Sequence, residues 1–475
     1  MITMKKLYKI VFIIILLYTT SCSKIFDITP PTEVKAEELF SKEVGFYQAL
    51  TGIYIKMTNA SLYGRTLSYS FIDVIANTYV VSQYSYLYNL QNYEYEDYSV
   101  QTTLNQIWSL SYSIIANCNS ILENMEGKEE LFSKEYSSNY ELLKGEVLAI
   151  RAFIHFNLLR LFGPLPSLGS DQMAIPYVTK VSRTAFPKIK FGEFMTKVIE
   201  DMTTARELLL ENDPLFTGGA TDASIMLSYS DNGFRNVSTR GTRMNYYAVT
   251  ALLARSYLYK NDKVNAYKYA KIATDNTYSN YTNISSYHWL DGIYSKLWLS
   301  NTENNNNTLT HFSDGSTSWK LDIPQIERSN LYETNIYQTV DVRNFKNFDA
   351  RDGGSGIYLN KYTNTSTCCI IARRSEMDLI LAETASENGD DPLIYINRLR
   401  NTRGLGNYPL NTSSNLEEEI TKEYRKEFVG EGQLFFYYKR KGYTSFKGIN
   451  GKELKEMGSK QYVLPIPSIE DVYSF

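Results

Sequence analysis

Histidine, cysteine and tryptophan are the scarce residues of this 475-residue chain, at 3, 4 and 4 copies. The histidines, His155, His288 and His311, have no metal-ligand spacing, so no metal site is expected. Cys22, Cys118, Cys368 and Cys369 make neither a disulfide framework nor a zinc pattern. No phosphate-binding loop, dinucleotide fingerprint or nucleophile elbow occurs in a strand–helix context, so neither a catalytic signature nor a cofactor is expected. Excess charge is also missing. Lys and Arg number 49 against 52 acids, a net charge of −3, which leaves no basic footprint for nucleic acid. What is abundant is tyrosine, with 40 copies against 22 Phe. A flat ring with a polar tip suits half-exposed helix packing, and it also suits interfaces and sugar contacts.

The N-terminus reads as an export signal. Lys5, Lys6 and Lys9 precede the apolar run Ile10–Tyr18, which is too short to span a bilayer. Small residues Thr19, Thr20 and Ser21 follow, and then Cys22. We read residues 1–21 as a signal peptide. A cysteine at this place resembles a bacterial lipobox, although Thr19 stands where that motif usually has leucine. The resemblance implies that Cys22 is acylated, with palmitate, and becomes the mature N-terminus. Loss of the three lysines takes 49 basic residues to 46 against 52 acids, a mature charge of −6. Pro30-Pro31 makes residues 22–36 an extended, lipidated tether. Residues 37–475 are expected to form one domain.

That domain reads as mainly α. The stretch Gly145–Pro166 is apolar on nearly every side, which marks a helix buried in a sizeable core. Arg151, His155, Asn157 and Arg160 interrupt it too often for a membrane span. Gly163-Pro164 ends it. Periodicity also predicts helices over 37–57 and 104–125, with an aromatic structured loop over 79–98 between them. In 245–276, Leu253, Ala254 and Tyr257 sit on one helix and Ala266, Ala270 and Ala273 on the next. This spacing resembles a tetratricopeptide repeat. Two further pairs are expected, 146–162 with 194–210 and 375–386 with 392–402. Pro392 stands at a first helical turn and Gly404 follows as a stop. Such pairs bury their faces only by stacking.

Residues 277–365 break the pattern. They are rich in Asn, Ser, Thr and Tyr and hold Trp289, Trp298 and Trp319. A loop region of that length is commonly functional. Flat rings stack on sugar faces while the hydroxyls stay hydrogen-bonded. The ligand-binding candidates are therefore Trp289, Trp298 and Trp319, with Tyr84, Tyr86 and Tyr88 from the 79–98 segment. Glu427 and Glu431 are spaced one helical turn apart, a spacing compatible with a catalytic carboxylate pair. With Arg425, Lys426, Lys439 and Arg440 nearby in sequence, a structural ion-pair cluster is the expectation.

Several stretches carry a family resemblance in chain order. These are Phe26-Asp27 to Pro30 after Cys22, then Gly145–Pro166, then Arg374-Ser-Glu376-Met-Asp378-Leu-Ile-Leu-Ala-Glu383. Asn397-Arg-Leu-Arg400 with Arg403-Gly404 follows, then Arg425-Lys-Glu427-Phe428 with Glu431-Gly432, and finally Leu464-Pro465-Ile466-Pro467. Together they resemble the SusD/RagB family of nutrient-binding outer-membrane lipoproteins. Leu434 and Tyr437 stand where the family often has an Arg and an Asp. Losing both charges together implies altered packing rather than lost function. His155 stands where an aromatic residue is usual, a helix-packing position.

The resemblance implies a SusD-like α-α superhelix and no enzymatic activity. It implies a cell-surface lipoprotein, anchored in the outer membrane and facing outward, that captures a glycan or oligosaccharide. The partner implied is a SusC-like TonB-dependent transporter. Two alternatives stay open at this point: peptide rather than glycan capture, and a helical-repeat adaptor that binds protein at the membrane. A lipid-anchored hydrolase is a third, weaker reading.

Overall fold

The computed structural model describes residues 36–132, 138–217, 240, 243–275, 293–298, 323–334, 341–351, 356–359, 368–408 and 415–468. Two units are distinguished, one ending at Phe46 and one beginning at Tyr47. In the first, the Phe40 and Phe46 rings lie 4.8 Å apart. The helix expected over 37–57 is interrupted. A short helix, Ala36–Leu39, stops where the Ser41 hydroxyl donates 2.7 Å to the Glu38 carbonyl, and α1 runs from Glu43 to Met57. Serine bonding back to the chain in this way competes with helix continuation.

In the second unit, α2 spans Phe71–Ile75 and α3 spans Tyr98–Met125. The α3 helix starts six residues before its apolar periodicity suggests. Asp97 caps it, accepting from the amides of Ser99 (2.9 Å) and Val100 (3.2 Å). Three helix pairs follow. The first is α4 (Asn139–Phe162) with α5 (Phe191–Asn212), the second α6 (Tyr246–Tyr259) with α7 (Lys263–Asp275). The third is α8 (Arg374–Thr384) with α9 (Pro392–Thr402). Helices α5 and α7 pack in turn on α6 and α8, so each pair stacks on the next. Ala266, Ala270 and Ala273 are fully buried along α7, where small side chains let the backbones approach. The fold is mainly α and tetratricopeptide-like. Helices α10 (Leu416–Glu427) and α11 (Leu434–Lys441) complete it. Sheet is limited to short ladders. Strand β1 (Ile293–Trp298) pairs antiparallel with β4 (Cys368–Arg373), and β2 (Phe348–Arg351) with β3 (Gly356–Leu359).

Helix α4 is buried almost all round, and its Glu146, Arg151 and His155 side chains are each partnered. Arg151 forms a 2.7 Å ion pair with Asp201 and donates 2.9 Å to Asn119 Oδ1. Glu146 pairs with Arg240, which also bonds Asp213 at 2.9 Å. His155 stacks on Tyr177 at 3.9 Å and accepts the Val178 amide at Nε2, while Nδ1 donates to the Arg151 carbonyl. Burial pushes the imidazole down to about 3, so it stays neutral. Full burial of each Leu, Ile or Phe here contributes about 1.5–3 kcal/mol, and these three polar side chains avoid the cost of burial without a partner.

The C-terminus of α4 departs from the expected glycine cap. Gly163 adopts ordinary extended geometry, φ −84° and ψ 169°, rather than a left-handed turn. Its glycine is explained by crowding, since a Cβ would lie 2.6 Å from both the Leu159 carbonyl oxygen and Leu159 Cδ1. The helix end is capped instead by Lys439 from α11. Its Nζ donates to the carbonyls of Arg160 (2.9 Å) and Gly163 (2.7 Å), which satisfies orphan acceptors and places positive charge at the negative end of the helix dipole.

Among the described residues no helix is long and apolar enough to cross a membrane.

Candidate ligand-binding surface

The 79–98 segment is more ordered than a loop. It contains a short helix, Leu87–Gln91, whose inner face buries Leu87, Leu90 and Gln91. The Ser82 and Ser85 hydroxyls accept the amides of Tyr84 and Leu87, turning the chain into this helix. Its tyrosines divide into two sets. Tyr79 and Tyr95 are buried, and Tyr93 is half-buried. The Tyr93 hydroxyl donates 3.1 Å to the Ile75 carbonyl, and the Tyr95 hydroxyl 2.5 Å to the Gln461 carbonyl. The Tyr79 carbonyl takes bonds from Gln91 (2.6 Å) and Asn450 (2.9 Å). These residues fix the segment to the core.

Tyr84, Tyr86 and Tyr88 form the other set, exposed at 73%, 38% and 39%. Tyr98, which was not a sequence candidate, is 85% exposed. Asn89 bonds Asp97 at 2.8 Å, which ties the start of α3 to the short helix. The result is a set of outward rings on a pinned backbone. The exposure of Tyr98 had no sequence signal, since Val100 in the same first turn is buried.

Trp298 ends β1, paired with Cys368. Trp289, Trp319 and Cys22 lie outside the described residues.

Glu427 and Glu431 form a buried ion network. Arg403 donates 2.6 Å and Arg343 2.8 Å to Glu427, Arg373 also pairs with Glu427, and Arg373 Nε lies 2.9 Å from Glu431. Arg343 further bonds Asp341 and Glu423, both at 2.7 Å. Burial alone would raise the Glu427 pKa; the guanidiniums of Arg403, Arg373 and Arg343 outweigh it and hold the carboxyl well below the usual range. A general acid needs the opposite shift. The cations differ from those expected. Lys426 joins the network through Glu333 (2.7 Å) and Glu423 (3.3 Å). Arg440 instead binds Glu383 bidentately at 2.7 Å, Arg425 donates to the Lys447 carbonyl, and Lys439 caps α4. Leu434 and Tyr437 are both buried, with the Tyr437 ring 4.2 Å from that of Tyr424. Among the described residues no group of three or more His, Cys, Asp or Glu side chains is placed to hold a metal ion.

Stacked helix pairs carrying an irregular, tyrosine-rich surface define a class of helical-repeat proteins. Residues 27–226 match a family described as starch-binding and associating with the outer membrane, and residues 217–467 match the SusD family. The chain belongs to the SusD family. It is 22% identical to SusD-like protein P2 of Formosa agariphila, over 98% of this chain and 97% of that one. In fold it is similar to a putative sugar binding protein from Bacteroides vulgatus, with a TM-score of 0.69 and 23% identity, covering 91% of this chain and 97% of that one. It is also similar to a laminarin binding SusD-like protein, with a TM-score of 0.63 and 16% identity over 91% and 98% of the two chains.

Proposed function

We propose that this protein is a cell-surface lipoprotein that captures a glycan or oligosaccharide and delivers it to a TonB-dependent outer-membrane transporter of the SusC type. The observation that carries the capture step is the set of outward rings at Tyr84, Tyr86 and Tyr88. Exposed rings held on a fixed backbone lose little entropy on stacking against a sugar face. Family membership, and the carbohydrate named for the laminarin binding relative, support the ligand class. Trp289, Trp298 and Trp319 are proposed to add further stacking surfaces. Anchoring through an acylated Cys22 accounts for a body attached to the outer membrane. The Glu427 network supports binding without turnover, since its carboxylates are committed to arginines.

The test is calorimetry of the full mature chain against a panel of polysaccharides and peptides. A glycan should bind, and the triple variant Tyr84→Ala, Tyr86→Ala, Tyr88→Ala should weaken it by roughly 1–3 kcal/mol at unchanged melting temperature. Equal affinity in the variant removes these tyrosines from the site. Binding of peptides alone replaces the glycan reading.

A further inference from the structure

Of the three guanidiniums lining one cavity, Arg160 alone has no carboxylate partner among the described residues. The cavity, about 40 Å³, lies between α4, α6 and α11 and is lined by Arg160, Arg255, Tyr259, Glu376, Gln433 and Arg440 among others. Arg255 is neutralised by Glu376 at 2.5 and 2.6 Å, and Arg440 by Glu383 at 2.7 Å. Arg160 has only neutral acceptors. It donates to Gln433 Oε1 at 3.0 Å and to Asn157 Oδ1, and its plane lies 3.8 Å from the Phe436 ring and 4.9 Å from the Phe156 ring. Its Nε has no partner among the described residues.

Three further observations converge on the same place. The Tyr259 hydroxyl lines this cavity, is likewise without a partner among the described residues, and belongs to a side chain only 2% exposed. Lys439 approaches Arg160 from α11, its Nζ donating to the carbonyls of Arg160 and Gly163, and burial together with the Arg160 charge holds its pKa well below the usual lysine value. Burial pulls Arg160 down to about 9, which still leaves it charged at neutral pH. Leaving a buried guanidinium uncompensated is costly, whereas an anion beside it supplies both the missing charge and the missing acceptor. Access exists too. Leu258, Tyr259 and Arg440 also line an outer cleft of about 460 Å³, so the two spaces adjoin.

We propose that the cavity between Arg160 and Tyr259 binds one small monovalent anion of the chloride class, held by Arg160 Nε–H and the Tyr259 hydroxyl. The volume fits, since a single water needs roughly 10–15 Å³ of such space and a monatomic halide only somewhat more. The charge balance selects an anion over water: two of the three guanidiniums are matched and the third is not.

Bromide is the probe. Crystals of the full mature chain soaked in sodium bromide should give an anomalous peak within hydrogen-bonding reach of Arg160 Nε and Tyr259 Oη. In solution, chloride should raise the melting temperature relative to gluconate at equal ionic strength. Tyr259→Phe should weaken the apparent chloride affinity roughly tenfold, the loss of one hydrogen bond to a charged group. Water density at the site with no bromide signal overturns the proposal, as does an identical chloride response in Tyr259→Phe. If that variant does not fold, the bromide map of the unaltered protein decides alone.

Discussion

Asp73 and Gly432, 359 residues apart in sequence, meet through a single hydrogen bond in which Asp73 Oδ1 accepts the Gly432 amide at 3.1 Å. The other carboxylate oxygen accepts the Gly430 amide at 2.6 Å. Gly430 and Gly432 both have positive φ, 77° and 66°. The turn between α10 and α11 thus presents two alternate amides, those of Gly430 and Gly432, to one buried anion, which is how backbone amides cradle a negative charge. A Cβ on Gly432 would lie 2.5 Å from the Leu67 carbonyl oxygen.

Two substitutions test that junction. Asp73→Ala should cost about 2–4 kcal/mol in denaturant unfolding, because two buried amides lose their acceptor. Gly432→Ala should cost a similar amount through strain and collision. A change under about 0.5 kcal/mol in either variant contradicts this account.

The Glu427 network should respond strongly to loss of one partner. Glu427→Gln removes a charge that three arginines share, and breaking a buried pair in this way costs about 3–5 kcal/mol. Acid should act on the same residues. Burial would raise the Glu423 pKa, but Arg343, Lys426 and Arg400 bring it down to about 2. A depressed carboxylate stabilises fully above its unfolded value near 4.5 and loses that contribution as pH falls toward 2. Stability measured across this range should therefore drop in wild type, and less steeply in Glu423→Gln.

His155 predicts a separate slope at milder pH. Its folded value of about 3 lies below the ordinary 6.5 because burial disfavours the charged ring. Between these values the unfolded chain binds a proton that the folded chain does not, so stability falls as pH drops below 6.5, by up to about 1.4 kcal/mol per pH unit. His155→Gln should flatten the profile between pH 6.5 and 4.5. An unchanged slope there assigns it to other groups.

Membrane attachment has its own test. Cys22→Ala should release the protein from the membrane fraction, because the proposed acyl anchor would be lost and the short leader cannot hold the chain. Persistent attachment in fractionation contradicts the lipoprotein reading.

Much of the scaffold was legible because helix pairing writes itself locally. The alanines of α7 and the all-round apolar face of α4 repeat at 3.6-residue spacing, and periodicity of that kind survives without knowledge of neighbours. Starts were less legible. Asp97 and Ser138 cap α3 and α4 several residues before the apolar repeat is recognisable, because their first turns mix buried residues such as Val100 and Tyr140 with polar ones. Charge pairing was the least legible. The basic residues near Glu427 in sequence largely face elsewhere, while Arg343, Arg373 and Arg403 arrive from other elements. Asp73 gave no signal at all, because a lone carboxylate is ordinary until the turn that meets it is known. Of the site candidates, Tyr84, Tyr86 and Tyr88 stand exposed on the surface, as their place in a polar, aromatic segment implied.

The split among the tyrosines of 79–98 makes this segment an exchangeable cassette. Tyr79, Tyr93 and Tyr95 keep its frame, so the outward positions 84, 86, 88 and 98 are open to replacement without rebuilding what lies beneath. A library randomised at those four positions alone should yield mostly folded proteins, and selection from it could retune recognition on an unaltered scaffold.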